Sequence, residues 1–461
     1  MRILAFLLAI LFCAGVEAAP IPLRGVVEGF YGQPWTFEQR ADMLDFCRQS
    51  NLNAYIYAPK DDPYHRELWR KPYPADKFDE LSKLVALANR SRVRFIFAVS
   101  PGLDINFRSD ADFNTLIRKF DALHDIGVRD FAIFFDDINH KDAAGQAAFL
   151  NRVNKYLRGT YKDVAHLITV PTEYCMDYIF SGGKLNSYSR RLAAELDPNI
   201  LVLLTGRGVV CEGISEEELA KLNELFGREI GVWWNYPVND YSLTPDGNRN
   251  VKLALGAIEN LPAEHVKAIL FNPMSQSELS KISLATGAIY ANNPAAYDAE
   301  KTWDAVLREQ FGSLAQEMKT FAEHSRRMEN NWAKVGSPDA PDFVAAADAV
   351  MSDVTKGRTP DFATLEAQID RMEIAADTLL YRLPQKFLVE CKPQLEQLKR
   401  TAEADRIALE SLKDGTLDPR LKILREEITS NERQAIVSEK AGRKFIDDVL
   451  KFFNDKKHKR K

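Results

Sequence analysis

The sequence predicts a parallel (β/α)8 barrel followed by an all-α C-terminal domain, and three observations carry that reading. Eight short runs between residues 25 and 273 are apolar throughout rather than alternating, as strands covered on both faces require. Amphipathic stretches with helical spacing separate them, over a span near the ~250 residues of such a barrel. After residue 300 the strand-like runs stop and helical stripes take over. The competing architecture is a doubly wound open sheet. No G-x-G-x-x-G turn follows the first run to support it.

Residues 1–18 read as a secretory leader. Arg2 precedes an apolar run from Ile3 to about Ala14, and small residues follow at Val16 and Ala18, with cleavage expected after Ala18. The run is short for a membrane span. Lipidation at Cys13 is disfavoured because Phe12 stands where a small residue belongs. The mature chain is thus expected to be exported, to the periplasm or the medium.

The barrel is expected over residues 19–300. Its strands are the runs "GVVEG" from 25, "NAYIYAP" from 53, "VRFIFAVS" from 93, "FAIFFDD" from 131, "HLITVP" from 166, "ILVLLTG" from 200, "IGVWWNY" from 230 and "KAILFNP" from 267. Helices are expected in stretches such as "FEQRADMLDFCRQS", "DFNTLIRKFDALHDIG" and "SEEELAKLNELFG". The third opens on a capping box, Ser215 with Glu218, and ends at Gly227. Residues 301–461 form the helical domain. Leu365, Ile369, Met372, Ala376, Leu379 and Leu383 make one apolar stripe, Pro384 and Pro393 interrupt it, and Leu395, Leu398 and Ala402 resume it. Such stripes must pack on the barrel or on a second copy, so a homodimer through this region is one expectation. The sequence shows no chemistry there.

Composition excludes several classes. The chain has 461 residues, a net charge of -5 and a pI near 5.9, so no basic field recruits nucleic acid or acidic membranes. The terminal "KKHKRK" is a local exception and reads as a solvated tail. Cys47, Cys175, Cys211 and Cys391 are too scattered for a disulfide scaffold or zinc ribbon. Export would permit a disulfide between Cys175 and Cys211, which follow neighbouring strands, and Asn89 in "NRS" is a glycosylation acceptor in a host that glycosylates.

In a barrel enzyme the residues ending each strand surround the catalytic mouth. That rule collects Gly29, Lys60, Asp136 with Asp137, Tyr174, Trp233 with Asn235, and Asn272, with Asp240 in the loop after strand seven. The set holds paired acids and aromatic rings but no His cluster at metal spacing, so neither metal nor cofactor is predicted. Aromatic faces with fixed polar partners suit a sugar ring, and two acids suit glycosidic bond cleavage. Adjacent residues on a strand point to opposite faces, so the pleat must break at or just after Asp136 for both to reach one substrate. Otherwise one Asp faces the barrel and the other caps the next helix. A magnesium-dependent nucleotide hydrolase is disfavoured, since "SGGKLN" lacks phosphate-loop spacing.

The blocks "RGVVEGFYGQPWTFEQR", "NAYIYAPKDDPYHRELWR", "FAIFFDDI", "VPTEYC", "WWNYPVNDY" and "LFNP" together, in order over residues 24–273, resemble glycoside hydrolase family 84, the O-GlcNAcase-like β-N-acetylglucosaminidases. The resemblance implies substrate-assisted retention, in which the sugar's own 2-acetamido oxygen attacks the anomeric carbon to give an oxazoline. It assigns Asp136, ionised, to the acetamido N–H and Asp137, protonated in the first step, to general acid and then base. It places the Gly29 backbone and Lys60 on ring hydroxyls, Asp240 and Asn272 on the 4- and 6-hydroxyls, Tyr174 and Asn235 around the acetamido group and the acids, and Trp233 as a wall. The expected partner is a GlcNAc-bearing glycan or glycoprotein. An endo-acting hyaluronan or chitin hydrolase and a non-catalytic GlcNAc-binding protein are the alternatives. Many exported relatives carry further modules; here only leader, barrel and helices are expected, which leaves the natural glycan open.

Overall fold

Each of the eight apolar runs is a strand in the computed structural model, which describes residues 19–242, 247 and 249–458. They are β1 (Leu23–Glu28), β2 (Ala54–Tyr57), β3 (Arg94–Val99), β4 (Asp130–Phe134), β5 (Ile168–Val170), β6 (Leu201–Leu204), β7 (Gly231–Trp234) and β8 (Ala268–Phe271). Each strand pairs in parallel with the next, and β8 closes on β1 with Leu23 opposite Ala268. The strand residues are almost all buried, which is why their pattern is continuous rather than alternating.

Helices α1 (Phe37–Gln49), α2 (Ala75–Ser91), α3 (Asp110–Asp125), α4 (Ala143–Thr160), α5 (Ser187–Glu195) and α6 (Glu216–Phe226) follow the first six strands, and α7 (Ser277–Asn292) follows β8. The capping box at α6 forms, and Gly227 ends the helix in the left-handed region at φ 61°. "SGGKLN" makes a two-residue hairpin turn through Gly182 and Gly183, both at positive φ, and no phosphate loop.

The seventh unit departs from the expected alternation. Among the described residues no helix follows β7; the connection to β8 runs as a strap instead. The Ile436 N–H donates to the Val251 carbonyl at 2.9 Å, the Leu255 N–H to Ser325 O at 2.8 Å, and Trp303 Nε1 to Leu255 O at 2.8 Å. Residues of the C-terminal region thus satisfy the backbone groups that a helix would have paired internally.

That region holds α8 (Ala299–Phe311), α9 (Ala315–Glu323), α10 (Pro341–Thr355), α11 (Ala363–Arg382), α12 (Gln385–Asp414), α13 (Arg420–Asn431) and α14 (Gly442–His458). Helix α8 straddles the boundary expected at residue 300. Two expectations need correction. Pro393 lies inside α12 and does not interrupt it. Its ring and Val389, whose carbonyl loses the N–H partner, both lie on the exposed face of the helix, where an unpaired carbonyl is open to solvent. The other concerns detail within a region that is helical as expected: Met328–Glu329 and Lys334–Val335 add a short antiparallel ribbon. Residues 1–18, where a leader is expected, and the last three residues of the basic run lie outside the described residues. Cys175 and Cys211 are both thiols; the Cys211 thiol lies 3.4 Å from the Gly213 carbonyl, to which it donates. No described helix is long and apolar enough to cross a membrane.

Candidate active site

The chain at the end of β4 answers the pleat problem. The Phe135 N–H still pairs with the β5 carbonyl of Val170, but Asp136 and Asp137 form a turn, and Asp137 sits in the left-handed region at φ 54°. Aspartate tolerates that conformation better than most residues. The turn breaks the alternation of faces, and both carboxylates open on one cavity of about 300 Å³ at the C-terminal mouth of the barrel.

All nine residues collected from the sequence line that cavity. Asp136 is buried and ion-paired through Oδ2 to Lys60 Nζ. Its Oδ1 is buried without a hydrogen-bond partner among the described residues. Asp137 is doubly held: the Tyr174 hydroxyl donates to Oδ1 at 2.7 Å and the Tyr31 hydroxyl to Oδ2 at 2.8 Å. Burial pushes the Asp137 carboxyl up, but the charge of Lys60, the two tyrosine hydroxyls and Arg66 outweigh it and hold the group below the ordinary carboxylate range. Burial, with the charge of Asp137 behind it, raises the Tyr174 phenol, so Tyr174 is a donor throughout.

Asn235 is a hub. Its Oδ1 accepts from Trp233 Nε1 and from Asn272 Nδ2, each at 2.9 Å, and its Nδ2 donates to the Val209 carbonyl at 2.8 Å. Asn272 Oδ1 in turn accepts from the Gly29 N–H at 3.3 Å. The Trp233 indole is therefore locked as a wall, edge-on to Phe134. Gly29 must be glycine here, because a Cβ would stand 2.2 Å from that indole. Asp240 Oδ2 accepts from the Tyr31 N–H at 2.7 Å. Burial is the main cause that lifts its carboxyl to about 6, with the Asp137 charge adding to it and the Tyr31 N–H, Arg249 and Lys60 opposing.

Among the lining or supporting residues that escaped the sequence reading, Tyr31, Arg66, Arg249 and Trp332 bear most on the acids and the cavity mouth. Tyr31 and Arg66 lie inside the blocks "GFYG" and "YHRELWR", yet nothing in a loop's periodicity says which way its side chains turn. Arg249 lines the cavity from the loop after β7. Trp332 comes from the short ribbon of the C-terminal region, half-exposed at 54%, with its ring 5.4 Å from that of Tyr241. A tryptophan directly after Asn330 and Asn331, in a stretch between two helices, was the available signal.

Comparison with known proteins agrees with this architecture. A family model described as beta-N-acetylglucosaminidase matches residues 24–323, and one described as hyaluronidase post-catalytic domain-like matches residues 343–446. The protein O-GlcNAcases of Rattus norvegicus and Mus musculus are each 34% identical over 282 residues, covering 58% of this chain and 30% of theirs, so the chain spans less than a third of the length of these curated relatives. The solved structure of CpGH84B superposes with a TM-score of 0.85 at 36% identity, covering 94% of this chain and 77% of its own. An O-GlcNAc hydrolase variant of Thermobaculum terrenum superposes at 0.81 with 30% identity, covering 93% and 94%. A closed barrel with two acids at its mouth, and a family match over its whole length, place the chain in the β-N-acetylglucosaminidases of glycoside hydrolase family 84.

Proposed function

We propose that the chain is an exo-acting, retaining β-N-acetylglucosaminidase that removes terminal β-linked GlcNAc, O-GlcNAc included, by substrate-assisted catalysis. The observation that supports it most is the arrangement of Asp136: one oxygen committed to Lys60, the other a buried acceptor without a partner, beside a second carboxyl on the same cavity. A buried unpaired carboxylate oxygen is costly unless a donor arrives. The acetamido N–H of GlcNAc is such a donor, and accepting it steers the acetamido oxygen toward the anomeric carbon.

In the first half-reaction that oxygen bonds to the anomeric carbon as the glycosidic bond breaks, and Asp137 gives its proton to the leaving oxygen. In the second, Asp137 takes a proton from water, the water oxygen bonds to the anomeric carbon, and the oxazoline opens with the β configuration retained. As the side chains stand, Asp137 favours its ionised form, so the acid form is made in the complex. The sugar displaces water from the carboxyl, which raises its proton affinity, and the leaving oxygen competes with a tyrosine for it. Asp240, Asn272 and the Trp233 wall fit a terminal sugar, and Trp332 offers an aromatic face to the group on its reducing side.

The test is turnover. A nitrophenyl N-acetyl-β-D-glucosaminide should be hydrolysed with retention, and the plain β-glucoside, lacking the internal nucleophile, should be inert. Brisk hydrolysis of the glucoside would refute the mechanism. We also propose export through residues 1–18, checked by N-terminal sequencing of the secreted chain. A homodimer through the helical domain is proposed on the exposed Ile374 and Tyr381, two turns apart on α11, and checked by light scattering.

A further inference from the structure

Three cations surround the ring of Tyr31: Lys60 at 5.9 Å, Arg66 at 5.5 Å and Arg249 at 5.7 Å from its centroid. The ring's negative face holds them near the acids without adding another carboxylate. The hydroxyl has a fixed polarity. Arg66 Nη1 lies 2.8 Å from the Tyr31 oxygen and, having no lone pair to offer, must donate to it. The single Tyr31 hydrogen is then left for Asp137 Oδ2, which accepts it. The same guanidinium donates through Nη2 to the Asp137 main-chain oxygen at 3.2 Å. One arginine therefore grips Asp137 twice, at the backbone of its left-handed turn and, through Tyr31, at its carboxylate.

We propose that Arg66 and Tyr31 form a positioning pair that fixes the direction of the Asp137 carboxyl and favours its ionised form, the form that draws a proton from water in the second half-reaction. The inference rests on the acid–base role proposed for Asp137. Tyr174 donates to the opposite oxygen, Oδ1, so it does not compete with Tyr31 for one acceptor. The charges of Lys60 and Asp240 and the Tyr178 phenol also act on the carboxyl, and Asp136 is its chain neighbour. Tyr31→Phe keeps the ring that Lys60 lies against and the N–H that Asp240 accepts, so a shift seen there belongs to the lost hydroxyl. Its polarity also explains why an arginine stands at position 66. A neutral donor or acceptor in that place could rotate the Tyr31 hydrogen away from Asp137, whereas a guanidinium cannot accept it.

The experiment uses the full chain with Tyr31→Phe, which keeps the ring and its packing, and Arg66→Gln. The Asp137 carboxyl is followed by 13C NMR in aspartate-labelled protein, its signal assigned by its loss in Asp137→Asn. Removing a donor from a carboxylate raises its pKa, so each variant should titrate about one pH unit higher, roughly tenfold in proton affinity. In turnover, the basic limb of kcat/KM for an alkyl N-acetyl-β-D-glucosaminide should move to higher pH. The nitrophenyl substrate, whose leaving group needs no proton, should keep its profile. Arg66→Lys, which retains charge but cannot reach both oxygens, should fall between. An Asp137 titration unmoved or lowered in both variants overturns the proposal. Should one variant melt early, the other decides alone, because both act through the same contact. A parent chain inert toward every N-acetylglucosaminide would defeat the functional reading, and the NMR titration would still decide this one.

Discussion

At the scale of single residues, the two adjacent aspartates are separated by what surrounds them rather than by their own chemistry. Asp136 faces an ammonium and an unclaimed space, while Asp137 faces two phenols. If Asp137 is the general acid, its loss matters only where the leaving oxygen needs a proton. Asp137→Ala should cost ~10²- to 10⁴-fold in kcat/KM on alkyl glycosides and far less on nitrophenyl ones. If Asp136 orients the acetamido nucleophile, Asp136→Ala should slow both alike; equal leaving-group dependence in the two variants would reverse the assignment. Asp240 makes a second, pH-based prediction. With its carboxyl near 6, it is ionised at pH 7 and protonates as the pH falls through about 6. A protonated acid accepts fewer hydroxyl hydrogen bonds, so KM should rise below pH 6, and Asp240→Asn should show no such limb. Linkage gives the stability sign: a folded pKa raised above the unfolded one stabilises at low pH, and that contribution fades as pH rises from about 4 to about 6. The positions of Asp136 and Asp137 were legible in the sequence because a strand end fixes them, and Asp240 was picked out from the loop after strand seven. Their protonation was not, because the tyrosines and Arg66 reach them from loops whose course no periodicity encodes.

At the scale of elements, the apolar runs specified all eight strands, since continuous burial on both faces leaves an unmistakable pattern. What pattern could not show is how β1 delivers its loop. Glu28, the last residue of β1, is fully buried and receives a two-pronged pair from Arg40 of α1, Nε and Nη2 each at 2.8 Å, as well as the Tyr55 hydroxyl and the Trp35 N–H. This network turns the chain sharply so that Gly29 and Tyr31 meet the cavity. Nothing in the sequence pattern singles out Glu28 for this role. Arg40→Met should leave the carboxylate buried with neutral donors only and destabilise the chain by ~3–5 kcal/mol, read as a lowered urea midpoint. The double variant with Glu28→Gln should recover part of that loss; a single variant as stable as the parent would show that the pair contributes nothing.

At the scale of the whole molecule, barrel and helices share one hydrophobic core, from Leu23 of β1 to Val449 of α14. The helical domain also completes the barrel's polar groups. Glu390 of α12 accepts the Glu278 and Leu279 N–H groups at 3.2 and 3.0 Å, so a carboxylate from α12 caps the start of α7. The Tyr236 hydroxyl, in the chain just after β7, donates to the Arg326 carbonyl and accepts from the Gly256 N–H. The strap between β7 and β8 pairs with residues 325 and 436 in place of a helix of its own. The amphipathic stripes announced that these helices must cover something, but the sequence could not say that they cover a face where, among the described residues, no seventh helix stands. A chain ending at Asp298 should therefore lose more than a neighbour. It would expose Leu253, Leu255 and the α7 surface, uncap α7 and leave the strap's N–H and C=O groups to solvent. We expect that fragment to aggregate, or to bind a hydrophobic dye without turning over substrate, while the full chain stays soluble. A monomeric fragment of residues 19–298 with full activity would show that the barrel closes its own seventh side, and the strap would then be an ornament of the fold rather than its missing wall.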